Sequence, residues 1–168
     1  MAGQQTPEAT ETITAAVRKT TKLPLWVKLA PGVESIVEVG KAAEAAGADA
    51  LTAVNTMGPG MIIDPLSRAP VMGFGRGGIS GAGLRPIAVQ TVFDLYGAVN
   101  IPIIGTGGVE TGRHAMEMLL AGASAVGVGT AVLTRGVDVF VKISEELSVL
   151  MDEFGYQTIS DIVGKAHA

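Results

Sequence analysis

Polar and glycine residues recur at the ends of short apolar runs that are typical of buried strands. Lys28 ends the first run, and Asn55 with Thr56 ends the second. The third and fourth runs lead into Gly105-Thr-Gly-Gly108 and Gly127-Val-Gly-Thr130. In parallel α/β folds, binding groups gather at the carboxyl ends of the strands. We therefore expect these residues on one rim of the molecule, where they could form a binding site.

The first two strand ends carry groups that could recognise a charged or amide-bearing ligand. Val27 and Leu29 flank Lys28 and should face the opposite side of the strand. A lysine in this position either reaches water or meets an anion, and the neighbouring strand ends favour the anion. Asn55 can donate and accept hydrogen bonds at once. Local capping of the turn is the structural alternative for Asn55 and Thr56.

The glycine-rich turns indicate a phosphate site. Glycine after a strand lets backbone N–H groups approach a phosphate, and the following helix adds the positive end of its dipole. Many barrels build their phosphate site from the last two βα loops, which here contain Gly107–Gly108 and Gly129–Thr130. Thr111 and Thr130 are the expected caps of the helices that follow. Tight strand–helix turns also use glycine, so a purely structural role is the alternative.

The elements that position these residues alternate between helix and strand. Helical patterns cover residues 7–20, 34–46, 84–97, 111–122, 137–154 and 158–163, and strand patterns cover 25–30, 50–56, 101–105 and 125–130. Nearly all-apolar strands between helices predict a parallel sheet. We expect a single α/β domain over residues 1–168, with four βα units after one helix. An open sheet and half of a (β/α)₈ barrel fit this pattern equally, since a whole barrel needs about 250 residues.

The connection over residues 57–83 is much longer than the usual βα loop of about two to six residues. It is rich in glycine, which permits close approach of the backbone to a ligand and is typical of a lid or ligand platform. Met61, Ile62, Ile63 and Val71 predict that part of it packs, as a short hairpin. Disorder is the alternative.

Composition excludes several classes of function. The chain has 168 residues with a net charge of −4 and 17% charged residues, so no nucleic-acid surface is expected. Cysteine is absent, which excludes disulfides, thiolate metal sites and thiol catalysis from this chain. The uncharged run 118–133 is shorter than a membrane span of about 18–20 residues. Without a leader pattern at the start, we expect a cytoplasmic protein that does not bind a membrane.

The titratable residues offer no catalytic constellation. His114 falls inside a predicted helix and His167 in the tail, so neither a metal site nor a histidine-based triad is expected. Asp49, Asp64 and Glu110 show no paired arrangement for general acid–base work. Catalysis is therefore not assigned to any residue of this chain.

Several motifs occur in an order and spacing that resemble one enzyme family. They are Leu25-Trp-Val-Lys-Leu-Ala-Pro31, Val54-Asn-Thr56, Gly77-Gly-Ile-Ser-Gly81, Ile103-Ile-Gly-Thr-Gly-Gly-Val109 and Ala121-Gly-Ala-Ser-Ala-Val-Gly-Val-Gly-Thr130. Over essentially the whole chain they resemble the FMN-containing catalytic subunit of the soluble class 1 dihydroorotate dehydrogenases. The resemblance implies a (β/α)₈ barrel that binds FMN and oxidises dihydroorotate to orotate in pyrimidine biosynthesis.

The resemblance also implies roles for the strand-end residues. Lys28 would contact the flavin ring near N1 and the C2 carbonyl, and Val54 would lie against the ring. Asn55 and Thr56 would hold the pyrimidine. The remaining FMN-binding residues would be Gly81, Gly107, Gly108, Gly129 and Thr130, the last four around the phosphate.

The family's first half, with four barrel strands and the cysteine or serine base, has no counterpart here. We therefore expect about four C-terminal βα units, a half barrel that associates with itself or needs the missing N-terminal half. The isolated chain should not turn over dihydroorotate, because the proton-abstracting residue would lie in that missing half. A second subunit carrying FAD and an iron–sulfur cluster would pass electrons to NAD. A related FMN-dependent dihydropyrimidine dehydrogenase and a non-catalytic half barrel that binds a phosphorylated ligand are the alternatives.

Overall fold

The helices and strands of the computed structural model, which describes residues 5–33 and 35–168, alternate as the sequence predicts. In chain order they are α1 (Pro7–Thr20), β1 (Trp26–Leu29), α2 (Ile36–Ala45), β2 (Ala50–Ala53), β3 (Met57–Gly60), β4 (Ile63–Asp64), β5 (Ala69–Pro70), β6 (Gly77–Ile79), α3 (Arg85–Tyr96), β7 (Ile103–Thr106), α4 (Gly112–Leu120), β8 (Ala125–Gly127), α5 (Ala131–Arg135) and α6 (Val139–Phe154). Short 3₁₀ turns occur at Ala82–Leu84, Ile159–Asp161 and Lys165–His167.

Local signals set most of these boundaries. Thr6 caps α1 by accepting a hydrogen bond from the N–H of Ala9, and Thr111 caps α4 in the same way through the N–H of His114. All four predicted strands are shorter than expected, most clearly β2, which ends at Ala53, and β8, which ends at Gly127. The short helix α5 was not predicted. The predicted start of α2 at residue 34 lies outside the described residues.

Four parallel strands form the main sheet in the order β1-β2-β7-β8, which confirms the α/β fold with a parallel sheet. Lys28 pairs with Thr52, and Thr52 pairs with Ile104. Alternate residues of these strands therefore share a face. One face is apolar and largely buried, and it includes Leu29, Leu51, Ala53 and Ile103. The other face carries Trp26 and Lys28, which are both exposed.

A second, smaller cluster packs α4 against α6 and the end of the chain. Met116, Leu119 and Ile162 form its buried centre. The ring of His167 stacks on Phe93 with centroids 3.7 Å apart, and its Nε2 lies 3.1 Å from the carbonyl of Ala121. The last turns of the chain are thus fixed to the helical layer by apolar and polar contacts.

The long connection after β2 forms two small antiparallel pairs, β3 with β6 and β4 with β5. The prediction of a hairpin in this segment is confirmed. The prediction that its apolar side chains pack is wrong, because Met61, Ile62, Ile63 and Val71 are each more than half exposed. The β4–β5 pair is held by backbone bonds, including one of 2.9 Å from the N–H of Val71 to the carbonyl of Ile62, and it presents its side chains to solvent.

None of the described helices is both long and apolar enough to cross a bilayer.

We predict that the chain associates with itself when it is purified alone. Two large apolar side chains are exposed near the β1 edge of the molecule, namely Trp26 on β1 (63%) and Ile13 on α1 (64%). Exposed apolar side chains and unpaired strand edges both favour association. Sedimentation velocity of the wild-type chain measures this directly. Trp26→Lys should shift the population towards monomer, whereas Leu66→Lys on the β4–β5 pair should not. A monodisperse wild-type monomer would contradict the prediction.

Candidate binding cleft at the strand ends

An open cleft with a volume of about 150 Å³ lies beside the carboxyl ends of the parallel strands. Most of the site residues predicted from sequence line it, namely Lys28, Val54, Thr56, Gly81, Gly107, Gly108, Gly129 and Thr130. Asn55 is half-buried directly after β2 and does not line the cleft. Its N–H donates to the carbonyl of Leu29 at 2.7 Å. The structure therefore brings together all but one of the predicted residues.

The cleft has further walls that the sequence did not identify. They come from Ser80, Leu84, Thr106, Val109, Glu110 and Ala131. Each of these lies within three residues of a predicted residue in the sequence. The parallel arrangement of the strands could have identified them from sequence, because it places the whole turn after each strand at the rim.

Glycine is required at Gly108 by both conformation and space. Its φ is +69°, and a Cβ there would lie 2.6 Å from the carbonyl oxygen of Gly81 and 2.7 Å from the Cβ of Arg85. Two loops and the start of α3 therefore meet at this point. Gly129 differs, because a Cβ there would have no atom of the described residues within 4 Å. That side of the cleft has open space next to the backbone.

Backbone donors at the glycine turns are free. The N–H groups of Gly107, Gly108 and Gly129 donate to no acceptor among the described residues. Backbone N–H groups in glycine turns suit the oxygens of a phosphate or carboxylate. The donor set of the cleft is thus suited to an anion.

Lys28 adds a positive charge to the same cleft. It stands on the exposed face of β1, beside Thr52 of β2. Its ammonium forms no ion pair within residues 5–33 and 35–168. An unpaired lysine next to free N–H donors gives the cleft the charge that an anionic ligand needs.

The prediction that Thr130 caps a helix by its side chain is wrong. Thr130 stands at the start of α5 but makes no side-chain capping bond. Its hydroxyl instead donates to Oγ of Ser80 at 3.1 Å. This bond joins the end of the long connection to the β8–α5 turn across the cleft. The cap is missing because the backbone of Thr130 is helical, with φ −53° and ψ −31°, whereas the capping residue Thr111 is extended.

His114 has a structural role that its position inside a helix did not reveal. The guanidinium of Arg85 lies 2.9 Å from its Nε2 and forms an ion pair of 2.9 Å with Glu117. Burial, together with the charge of Arg85, lowers the pKa of His114, while Glu117, Glu110 and Glu146 oppose that shift. The ring is therefore held neutral as a hydrogen-bond acceptor behind the cleft.

The two aspartates considered from sequence serve the fold. Asp49 pairs with Arg18 at 2.8 Å and accepts the N–H of Leu25 at 2.7 Å, and these hydrogen bonds lower its pKa. Asp64 accepts the N–H groups of Leu66 and Ser67 at 3.1 Å each. Residues 5–33 and 35–168 contain no group of three or more acidic, histidine or cysteine side chains placed to hold a metal ion.

We predict that His114→Gln makes stability less dependent on pH between about pH 7 and about pH 5. Because the fold lowers the pKa of His114, the unfolded chain binds a proton more readily, and wild-type stability falls as the pH drops through this range. Thermal unfolding at a series of pH values measures the two slopes. Arg113→Gln on the same helix should keep the wild-type slope, and equal slopes for wild type and His114→Gln would contradict the prediction.

Comparisons with known proteins identify the family. A sequence model described as dihydroorotate dehydrogenase matches residues 1–151. The chain is 44% identical over 163 residues to the catalytic subunit of dihydroorotate dehydrogenase B (NAD(+)) of Methanothermobacter thermautotrophicus, covering 97% of this chain and 54% of that relative. It is 46% identical over 161 residues to the same subunit of Methanosarcina acetivorans, covering 96% and 51%. A Bacillus cereus subunit is 44% identical over 162 residues, covering 95% and 51%.

The chain spans about half the length of the curated relatives it matches. The match with the family model covers most of the chain, and the identity with the relatives extends over nearly all of it. The protein therefore belongs to the dihydroorotate dehydrogenase family.

Proposed function

We propose that this chain supplies the phosphate-binding part of an FMN site in an enzyme that oxidises dihydroorotate to orotate. The observation that carries the proposal is the single cleft, where Lys28 and the glycine turns that match the family's motifs come together. Membership of the dihydroorotate dehydrogenase family supports this substrate and this reaction. The roles of individual residues follow from the family resemblance, and the place of all of them but Asn55 in this cleft supports them.

The cleft fits FMN on the chemistry of its donors. The free N–H groups of Gly107, Gly108 and Gly129 suit the dianionic phosphate, and the open space beside Gly129 leaves room for it. Gly81 and Thr130 would complete this end of the site. Loss of space at these turns would exclude the phosphate.

The other end of the cleft suits the ring and the substrate. When bound, FMN accepts the hydride that dihydroorotate loses. Lys28 holds a positive charge beside the N1 and C2 carbonyl side of the ring, where negative charge gathers on reduction. Val54 provides an apolar surface for the ring. Thr56, which lines the cleft, and Asn55 beside it offer hydrogen-bonding groups to the pyrimidine.

The proton-abstracting residue comes from outside this chain in our proposal. The chain has no cysteine, and the described acidic residues at the cleft form no acid–base pair. The relatives are about twice as long as this chain, so the rest of such an enzyme has room for the base and for further FMN contacts.

We also propose that the chain forms half of a (β/α)₈ barrel. Four parallel strands with one buried and one exposed face are what half of a (β/α)₈ barrel would present. A complementing half would cover Trp26 and pair the free edges of β1 and β8. The relatives are named catalytic subunits of a dihydroorotate dehydrogenase B (NAD(+)), and we propose that the assembled enzyme passes electrons to NAD through a subunit carrying FAD and an iron–sulfur cluster.

Flavin retention tests the proposal. The chain, mixed with the N-terminal half of the Methanothermobacter thermautotrophicus relative, should remain yellow after desalting. Lys28→Ala should raise the Kd for FMN and for riboflavin alike by about tenfold or more, because a charge-assisted contact with the ring serves both. Fluorescence titration measures both constants.

Lys22→Ala, which removes an exposed lysine ahead of β1, serves as the matched control and should bind both flavins as the wild type does. Retention of inorganic phosphate without flavin would contradict the proposal. That result would favour the non-catalytic half barrel that binds a phosphorylated ligand.

A further inference from the structure

An ion pair lies behind the Gly107–Gly112 loop, which forms one wall of the cleft. Arg135, the last residue of α5, donates to Oε1 of Glu146 on α6 at 2.6 Å. The two side chains are 28% and 37% exposed, so the pair is partly shielded from water. This pair is absent from the motifs that define the family resemblance.

Each member of the pair also holds the backbone of the loop. The other terminal nitrogen of Arg135 donates to the carbonyl of Glu110. The second carboxylate oxygen of Glu146 accepts the N–H of Gly112 at 2.6 Å. Glu110 lines the cleft, and Gly112 begins α4. Two consecutive parts of the loop are thus fixed to α5 and α6 by a single ion pair.

Close packing strengthens this connection. A Cβ at Gly112 would collide with the backbone of α6 at Leu147, so α6 lies directly against the loop. Val109, between the two glycines of the cleft and Glu110, is 2% exposed and fixes the loop from the apolar side. The N–H groups of Gly107 and Gly108 are left without acceptors among the described residues. The loop is held at its Glu110–Gly112 end, while its Gly107–Gly108 end stays available to a ligand.

The charges favour a permanent pair. The hydrogen bond from Arg135, and next the one from Gly112, lower the pKa of Glu146, and Glu146 in turn raises the pKa of Arg135. Both groups are therefore ionised at neutral pH. Because the Arg135 guanidinium is already bound to a carboxylate and a carbonyl, it holds the loop and does not serve as the counter-ion of the ligand.

From this geometry we infer that Arg135 and Glu146 are positioning residues that hold the Gly107–Gly112 loop in the conformation that binds the phosphate of the flavin. The inference rests on the proposed function. By holding the loop, these two residues would raise the affinity for the phosphate group specifically. Neither side chain would contact the ligand.

Hydrogen exchange of the full 168-residue chain tests whether Arg135 and Glu146 hold the loop. Glu146→Ala removes the acceptor of the Gly112 N–H, so this amide should exchange about tenfold faster or more and raise the exchange measured over residues 107–112. The Gly107 and Gly108 amides, which have no acceptor among the described residues, should not contribute to the rise. Exchange in α2, which packs at the β1–β2 end of the sheet and away from the loop, should stay as in the wild type. An unchanged rate over residues 107–112, or an equal rise throughout the chain, would overturn the inference.

Comparison of FMN with riboflavin tests whether the held loop matters for binding of the phosphate. Both are measured with the chain combined with the N-terminal half of the Methanothermobacter relative. Riboflavin lacks only the phosphate, so Glu146→Gln should raise the Kd for FMN by about tenfold while changing that for riboflavin by less than about twofold. Glu145→Gln, the exposed neighbour on α6, is the matched control and should change neither constant. Equal losses for both flavins would show general destabilisation and overturn the inference.

The two measurements also separate this inference from the proposed function. If the wild type binds neither flavin, the proposed function fails, while hydrogen exchange still decides whether Arg135 and Glu146 hold the loop. If Glu146→Ala does not fold, Glu146→Gln keeps one oxygen for the Gly112 N–H and removes the charge together with the second acceptor, which Arg135 uses. In that variant, exchange over residues 107–112 that matches the wild type, together with an unchanged Kd for FMN, counts against the inference.

Discussion

Parallel hydrogen bonding between β1, β2, β7 and β8 is the constraint on which the candidate site depends. Because the strands run in the same direction, their carboxyl ends meet at one edge, and residues far apart in sequence share a cleft. Lys28 and Thr130 come together in this way. Glycine at the strand ends then leaves backbone donors without acceptors among the described residues, so the sheet positions a candidate anion site.

The same sheet explains why the proposed site would need a further part of the enzyme. Leu51 and its neighbours are buried on one face, whereas Trp26 and Lys28 are exposed on the other. In the proposed half barrel, the exposed face that carries Lys28 towards a flavin is also the face that needs a partner. Stability and binding would therefore have the same requirement, namely the part of the enzyme that covers this face and supplies the base.

Sequence patterns predicted the order of the elements and most of the cleft, because strand length, glycine and capping residues such as Thr111 act over a few positions. They failed where contacts between distant segments decide the outcome. Thr130 bonds to Ser80 and does not cap α5, and Ile62 lies on a projecting hairpin that buries little. The pairing of Arg135 with Glu146 depends on how α5 turns back onto α6, which no local pattern encodes.

The central claim is that the glycine turns after β7 and β8 bind the phosphate of FMN. A crystal structure of the chain with its complementing half and FMN tests it most directly. The account predicts phosphate oxygens within about 3 Å of the N–H groups of Gly107, Gly108 and Gly129, with the flavin ring towards Lys28. A phosphate bound elsewhere, or a ring lying against these glycine turns, would contradict it.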